Sequence, residues 1–126
     1  MRCQTCRPGR LPSRKEWKFA ARGGVATRLY TYIGSNDVDA VAWYSGNAGG
    51  TIRPAGTKLA NELALFDLAG NAWEWCFDVD SGSSRALRGG GWGISAAYCR
   101  ATIRGSSYAN NHSSTLGFRV ARSLVP

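Results

Sequence analysis

The sequence is poor in histidine, methionine and acidic residues, and it has no long apolar run. Its 126 residues include one histidine, one methionine and eight acidic residues, against sixteen lysines and arginines. No segment approaches the roughly 18 unbroken apolar residues that a membrane span needs. The basic start, MRCQTCRPGR, is not followed by an apolar stretch, so no signal peptide is visible. We therefore predict no membrane span and either a cytoplasmic location or a fragment of an exported protein.

The basic residues are scattered and form no run. The formal net charge is +8, and arginines occur from Arg2 to Arg122, several of them in Gly-rich turns or beside aromatic residues. A planar guanidinium with five donors satisfies loop carbonyls well. Since neither a basic run nor a known nucleic-acid reader motif is present, we predict structural arginines and no nucleic-acid partner.

Four cysteines leave little room for a metal site. Cys3 and Cys6 form a CxxC pair, but no second CxxC follows and His112 is the single histidine. Tetrahedral zinc needs four donors, so zinc is disfavoured. Cys76 and Cys99 lie in aromatic-rich surroundings, where free cysteines behave as small buried hydrophobes. A disulfide between them would require an oxidising compartment.

One helix start is clear, and the remaining chain is rich in turns. Ser13 and Glu16 form an S-x-x-E capping box, and Gly23-Gly24 is expected to end the helix. Sixteen glycines and five tryptophans predict a loop-rich α+β domain with Trp clusters in its core. We expect strands at three places: Arg85–Leu87, around Tyr98–Ile103, and Gly117–Ala121.

Five motifs, in order, resemble a known family. They are RLPSRKEWKFAARGG (10–24), NELALFDLAGNAWEWC (61–76), RALRGGGW (85–92), YCR (98–100) and LGFRVAR (116–122). They are similar to the signatures of the formylglycine-generating enzyme, or sulfatase-modifying factor, domain. The resemblance implies a C-type-lectin-like fold over residues 10–126 after a basic lead at 1–9. So short a lead suggests a minimal or truncated member whose sheet lacks an edge strand that a partner could fill.

The resemblance implies a calcium site within LFDLAGNAWEWC. In relatives, the corresponding turn wraps calcium with one side-chain oxygen and several backbone carbonyls, and the matching positions here are Asp67, Leu68, Gly70 and Ala72. Calcium takes six to eight hard oxygens in flexible geometry. The alternative is that Asp67 and Glu74 cap turn amides or pair with arginines.

The resemblance also identifies what the family's chemistry would need. Its oxidising members hold copper between two cysteines, because soft thiolates suit Cu(I). Cys99 matches the second of these, but Ile94 stands at the first and has no ligand atom. Its iron-dependent members need several histidines, and His112 is alone. An oxidase of the formylglycine-generating type that relies on Cys99 remains the catalytic alternative.

A second branch of the family, the variable proteins of diversity-generating retroelements, uses the fold as a binding scaffold. Mutagenesis at their AAC-type codons cannot produce Met, Trp, Lys, Gln or Glu, and residues 93–115 contain none of these. The alternative is an ordinary Ser/Asn/Gly-rich loop, or an accessory domain of a larger protein. We predict a surface for a protein or glycan ligand and leave the oligomeric state open. Its residues are Ser95, Ala97, Tyr98, Ile103, Ser106, Ser107, Tyr108, Asn110, Asn111 and His112.

Overall fold

A computed structural model of the chain describes residues 8–123, and most of them lie in loops. None of the described helices is long or apolar enough to span a membrane. Two short 3-10 turns, Gly24–Ala26 and Ala96–Cys99, interrupt the loops. The helices and strands, in chain order, are α1 (Arg14–Ala21), α2 (Val38–Val41), β1 (Ala42–Trp43), β2 (Ala69–Gly70), β3 (Trp73–Ser81), β4 (Ser84–Arg88), β5 (Gly105–Tyr108) and β6 (Leu116–Gly117).

Helix α1 forms where the capping signal predicts it. The Ser13 hydroxyl accepts the backbone N–H of Glu16 at 3.2 Å. The Glu16 carboxylate also accepts from the Arg10 guanidinium at 2.7 Å. The helix ends before Gly23, which has a φ of 89°. Trp17 faces inward and is 1% exposed, so the short helix is held to the domain by one large aromatic side chain.

A four-stranded sheet in the order β5-β4-β3-β6 supports the second half of the chain. Strands β3 and β4 form an antiparallel hairpin in which Trp75 lies opposite Leu87. Strand β5 continues it antiparallel to β4, with Ser106 opposite Ala86. The short β6 pairs parallel with β3, while β1 and β2 form a separate two-stranded parallel sheet. Strand β5 therefore lies at one edge of the larger sheet.

The strand predictions had mixed outcomes. The strand at Arg85–Leu87 is confirmed within β4. The strand around Tyr98–Ile103 is wrong, because the chain turns there in a 3-10 helix and brings the Tyr98 carbonyl and Cys99 sulfur against Gly90. The strand at Gly117–Ala121 reduces to β6 and one isolated bridge between Arg10 and Ala121.

Candidate ligand-binding surface

Glu74, the acid in WEWC, joins three distant parts of the chain. Its Oε2 accepts the indole N–H of Trp17 at 2.7 Å. Arg119 donates to both carboxylate oxygens at 2.7 Å and to the Phe66 carbonyl at 2.8 Å. Since burial of an acid is costly without a partner, Glu74 is satisfied by a tryptophan and an arginine that both lie far from it in the sequence. The alternative interpretation, pairing with arginine, is what the structure shows for Glu74.

A buried arginine holds the segment at residues 93–115, which we call the ribbon. Arg88 is 3% exposed, and its Nη1 donates to the carbonyls of Ala101 at 3.3 Å and Ile103 at 3.1 Å. No carboxylate in residues 8–123 forms an ion pair with it, and burial lowers the pKa of its guanidinium. This contact agrees with the general prediction that arginines satisfy loop carbonyls, although that prediction does not name Arg88.

Two tryptophans fix the far end of the ribbon. The Trp73 backbone N–H donates to the Thr115 carbonyl at 2.8 Å, and the Trp92 indole donates to the Ser114 carbonyl at 3.1 Å. A Cβ at Gly105 would lie 2.9 Å from the Trp73 ring, closer than packed carbon atoms tolerate. We call Trp17, Trp73, Glu74, Arg88 and Arg119 the frame, because they support the ribbon or lock the elements beneath it.

The predicted surface residues lie outside the core. Eight of the ten are exposed, and the remaining two, Ile103 and Ser107, are half-buried. Most fall into two groups, one at 95–98, just before and within the 3-10 turn, and the other in β5 and the turn after it, while Ile103 lies between them. Within the second group the Asn111 amide donates to the Ser107 hydroxyl at 2.8 Å. Tyr98 is 49% and Tyr108 65% exposed, so both phenols are available for contact.

Cys99 lies in the interior. It is completely buried, and burial raises the pKa of its thiol to about 11. Ile94, at the other position of the copper pair, uses its carbonyl to accept the Ser45 N–H at 2.9 Å. Cys76 is also buried, with a thiol pKa raised to about 12, chiefly by burial. Both cysteines are free, so the structure contains no disulfide between them and each packs as a small hydrophobe.

Asp67 offers one unpaired oxygen. Its φ is 56°, so the turn bends in the left-handed region. Oδ2 accepts the Gly56 N–H at 2.7 Å, while Oδ1 is buried and has no hydrogen-bond partner in the described chain. Oδ1 is suited to bind a cation. The hydrogen bond from the Gly56 amide to Oδ2 agrees with the alternative interpretation, in which Asp67 caps a turn amide.

The other predicted calcium positions are less favourably placed. Ala72 and Glu74 line the same open groove as Asp67, of about 600 Å³. Leu68 and Gly70 are buried and do not line it. Arg119 donates to both oxygens of Glu74. Among the described residues that line the groove, only the Asp67 carboxylate therefore retains an oxygen without a donor. Residues 8–123 contain no cluster of three acidic, histidine or cysteine residues that could hold a metal. The CxxC at Cys3 and Cys6 lies outside the described residues.

The comparisons with known proteins now decide the family. The profile of the sulfatase-modifying factor enzyme 1-like domain matches residues 4–124. The chain belongs to this family. Chaperone protein LppX of Paenibacillus barcinonensis is 36% identical over 137 residues, which cover 90% of this chain and 49% of LppX. The formylglycine-generating enzyme of Streptomyces coelicolor is 32% identical, with 89% of this chain and 46% of that enzyme covered.

A solved structure agrees with the family assignment. Treponema denticola variable protein 1 superimposes with a TM-score of 0.81 at 36% identity, covering 89% of this chain and 46% of that protein. The resemblance to the sulfatase-modifying factor domain and the resemblance to retroelement variable proteins are both confirmed. The loop-rich α+β fold of the family is confirmed as well. The chain spans about half the length of the curated relatives it matches.

Proposed function

We propose that this family member is a non-catalytic module that binds a protein or glycan ligand through the ribbon. The observation that carries the proposal is the contrast in burial. The two large phenols of the ribbon face outward, whereas Cys99, the residue that redox chemistry would use, is completely buried. Tyrosine gives a large contact area and a hydrogen-bonding group at low entropy cost, which suits a binding surface.

The similarity to Treponema denticola variable protein 1 supports this proposal, because that protein shares the fold at 36% identity. LppX is named a chaperone protein, whereas the Streptomyces coelicolor relative is named a formylglycine-generating enzyme. A fold that serves several functions does not by itself assign one. The assignment to binding therefore depends on the exposed ribbon of this chain.

The test is to remove both phenols. The chain is screened on a glycan array and a displayed protein library, and the strongest hit is measured by surface plasmon resonance. We expect the Tyr98→Ala/Tyr108→Ala variant to lose at least about tenfold in affinity, since aromatic anchors contribute 2 kcal/mol or more. Phe77→Ala is the control, because Phe77 is 68% exposed but lies on β3 outside the ribbon. Unchanged affinity in the double variant, with an unchanged melting temperature, would reject the surface.

Copper chemistry distinguishes the catalytic alternative. A formylglycine-type oxidase would bind Cu(I) and consume oxygen with a cysteine peptide, and Cys99→Ser would abolish both. With a buried thiol at Cys99 and an isoleucine at the first position of the pair, we expect neither tight Cu(I) binding nor Cys99-dependent oxygen uptake. Observation of either would overturn the binding-module proposal.

We also propose that Asp67 binds calcium, with Ala72 at the same groove. The support is the buried Oδ1 that has no partner in the described chain and the hard-oxygen preference of calcium. The test is terbium luminescence, sensitised by nearby tryptophan and displaced by calcium. Asp67→Asn should abolish the signal, and Asp80→Asn should retain it. An Asp67→Asn protein that binds terbium as the wild type does would contradict the proposal.

A further inference from the structure

A cavity of about 310 Å³ lies between the C-terminal end of α1, the loop at 27–34 and ribbon residues 100–102. Tyr30, Thr31 and Thr102 are among the residues that line it, together with charged residues of both signs. Pockets of this size with a few converging polar groups are typical of small-molecule sites. Neither the ribbon proposal nor the calcium proposal uses this cavity.

The acidic group of the cavity is only half satisfied. Glu62 Oε2 accepts the backbone N–H of Arg28 at 3.2 Å. Its Oε1 is buried and has no hydrogen-bond partner within residues 8–123. A buried carboxylate oxygen without a donor is costly, by about 1–3 kcal/mol or more. A protonated amine would supply both a donor and a positive charge, and such charge-assisted hydrogen bonds are roughly twice as strong as neutral ones.

The basic groups of the cavity are also available. Arg22 and Arg100 both line it, and neither forms a salt bridge within the described chain. The guanidinium carbon of Arg100 lies 5.6 Å from the centroid of the Tyr32 ring, so the aromatic face positions this arginine. A guanidinium held in this way can bind a carboxylate through two parallel hydrogen bonds.

We propose that this cavity binds a free amino acid, whose protonated amine contacts Glu62 and whose carboxylate contacts Arg100. One acid and a positioned arginine within one small cavity match the two charges of a zwitterion, and the hydroxyl groups favour a polar side chain. This proposal goes beyond the macromolecular ligand of the ribbon and does not depend on it.

The test uses the complete chain with the protein amino acids as probes. Each is added at about 10 mM, a level that detects dissociation constants in the millimolar range, and binding is followed by ¹H–¹⁵N NMR. The strongest binder is then compared with its decarboxylated amine and its deaminated acid. We expect both analogues to bind at least about tenfold more weakly, because each lacks one charge-assisted contact. The proposal is overturned if no amino acid binds, or if either analogue binds equally well.

Three variants complete the test. Glu62→Gln keeps the shape of the side chain and an oxygen for the Arg28 amide, and it should weaken binding at least about tenfold. Glu16→Gln removes an acid that does not line the cavity and should have no effect. Arg100→Leu changes an exposed residue and should remove the preference for the amino acid over its decarboxylated amine. Wild-type affinity in Glu62→Gln, or an intact preference in Arg100→Leu, would contradict the proposal.

Discussion

The frame and the ribbon use polar groups in opposite ways. In the frame, the charges of Glu74 and Arg119 satisfy each other, and Nη1 of Arg88 donates to two carbonyls of the ribbon. In the ribbon, the polar side chains mostly face outward. Buried polar networks are costly to disturb, whereas exposed polar residues change stability little. The two regions should therefore separate stability from binding, so that changes to the outward-facing side chains of the ribbon leave the fold intact.

The largest loss of stability is expected when the negative charge of Glu74 is removed. Glu74→Gln removes the counter-charge of Arg119, which is 27% exposed, and the loss of the two charge-assisted hydrogen bonds between them costs about 3 kcal/mol. We expect the free energy of unfolding in urea, followed by tryptophan fluorescence, to fall by that amount. Glu16→Gln is the matched control, because its pair with Arg10 is 42–47% exposed and exposed pairs contribute less than about 1 kcal/mol. Equal losses in the two variants would remove the distinction between frame and surface.

A smaller effect is expected where the ribbon meets the frame. In Gly105→Ala the new Cβ would lie 2.9 Å from the Trp73 ring, and overpacking of this kind costs about 1–3 kcal/mol. Gly93→Ala is the control within the same ribbon, since a Cβ there meets no atom within 4 Å. Thermal unfolding of both variants measures the difference. A Gly105→Ala protein as stable as Gly93→Ala would mean that Trp73 does not support the ribbon.

Much of the fold could be predicted from the sequence, and the reasons are local. The Ser13 cap and Gly23 mark where α1 begins and ends. The ordered motifs identify the family, and the glycine content indicates loops. The ribbon's exposure also agrees with the position of its residues between RGGGW and LGFRVA. The helix signals, and each motif taken by itself, lie within a few neighbouring residues.

What the sequence missed depends on contacts between distant residues. Strand β3 is not among the predicted strands, because the resemblance indicates a metal-binding turn at 67–72 and no sequence pattern marks WEWC as a strand that pairs with β4. The strand expected around Tyr98 is wrong, because the chain there forms a 3-10 helix that lies against Gly90. The partnership of Glu74 with Arg119 spans 45 residues, and no local pattern specifies which arginine an acid will choose. The cavity at Glu62 likewise forms from four separate segments.

The buried thiols provide a pH-dependent measure of the interior. Burial raises the pKa of Cys99 from its usual value near 9 to about 11, because the folded state favours the neutral thiol. The contribution of the Cys99 thiol to the free energy of unfolding is fully present below pH 9 and is lost as the pH rises towards 11. Between about pH 8 and pH 10, we expect the thiol to account for about 1 kcal/mol of lost stability. Cys99→Ala should reduce the loss by that amount, and an unchanged pH dependence would show that Cys99 titrates normally.

The smallest effect is expected on the outer face of the ribbon. Ser106→Ala, Asn110→Ala and His112→Ala each shorten or remove an exposed polar group, and such changes stay within about 0.5 kcal/mol in unfolding free energy. Asn111→Ala provides the comparison within the ribbon, since Asn111 bonds to Ser107 at 2.8 Å and its loss should cost somewhat more. Urea unfolding of the four proteins measures the order. If the first three variants lost as much stability as Gly105→Ala, these side chains would belong to the structural frame. The ribbon would then not be a surface that tolerates sequence change while the fold is kept.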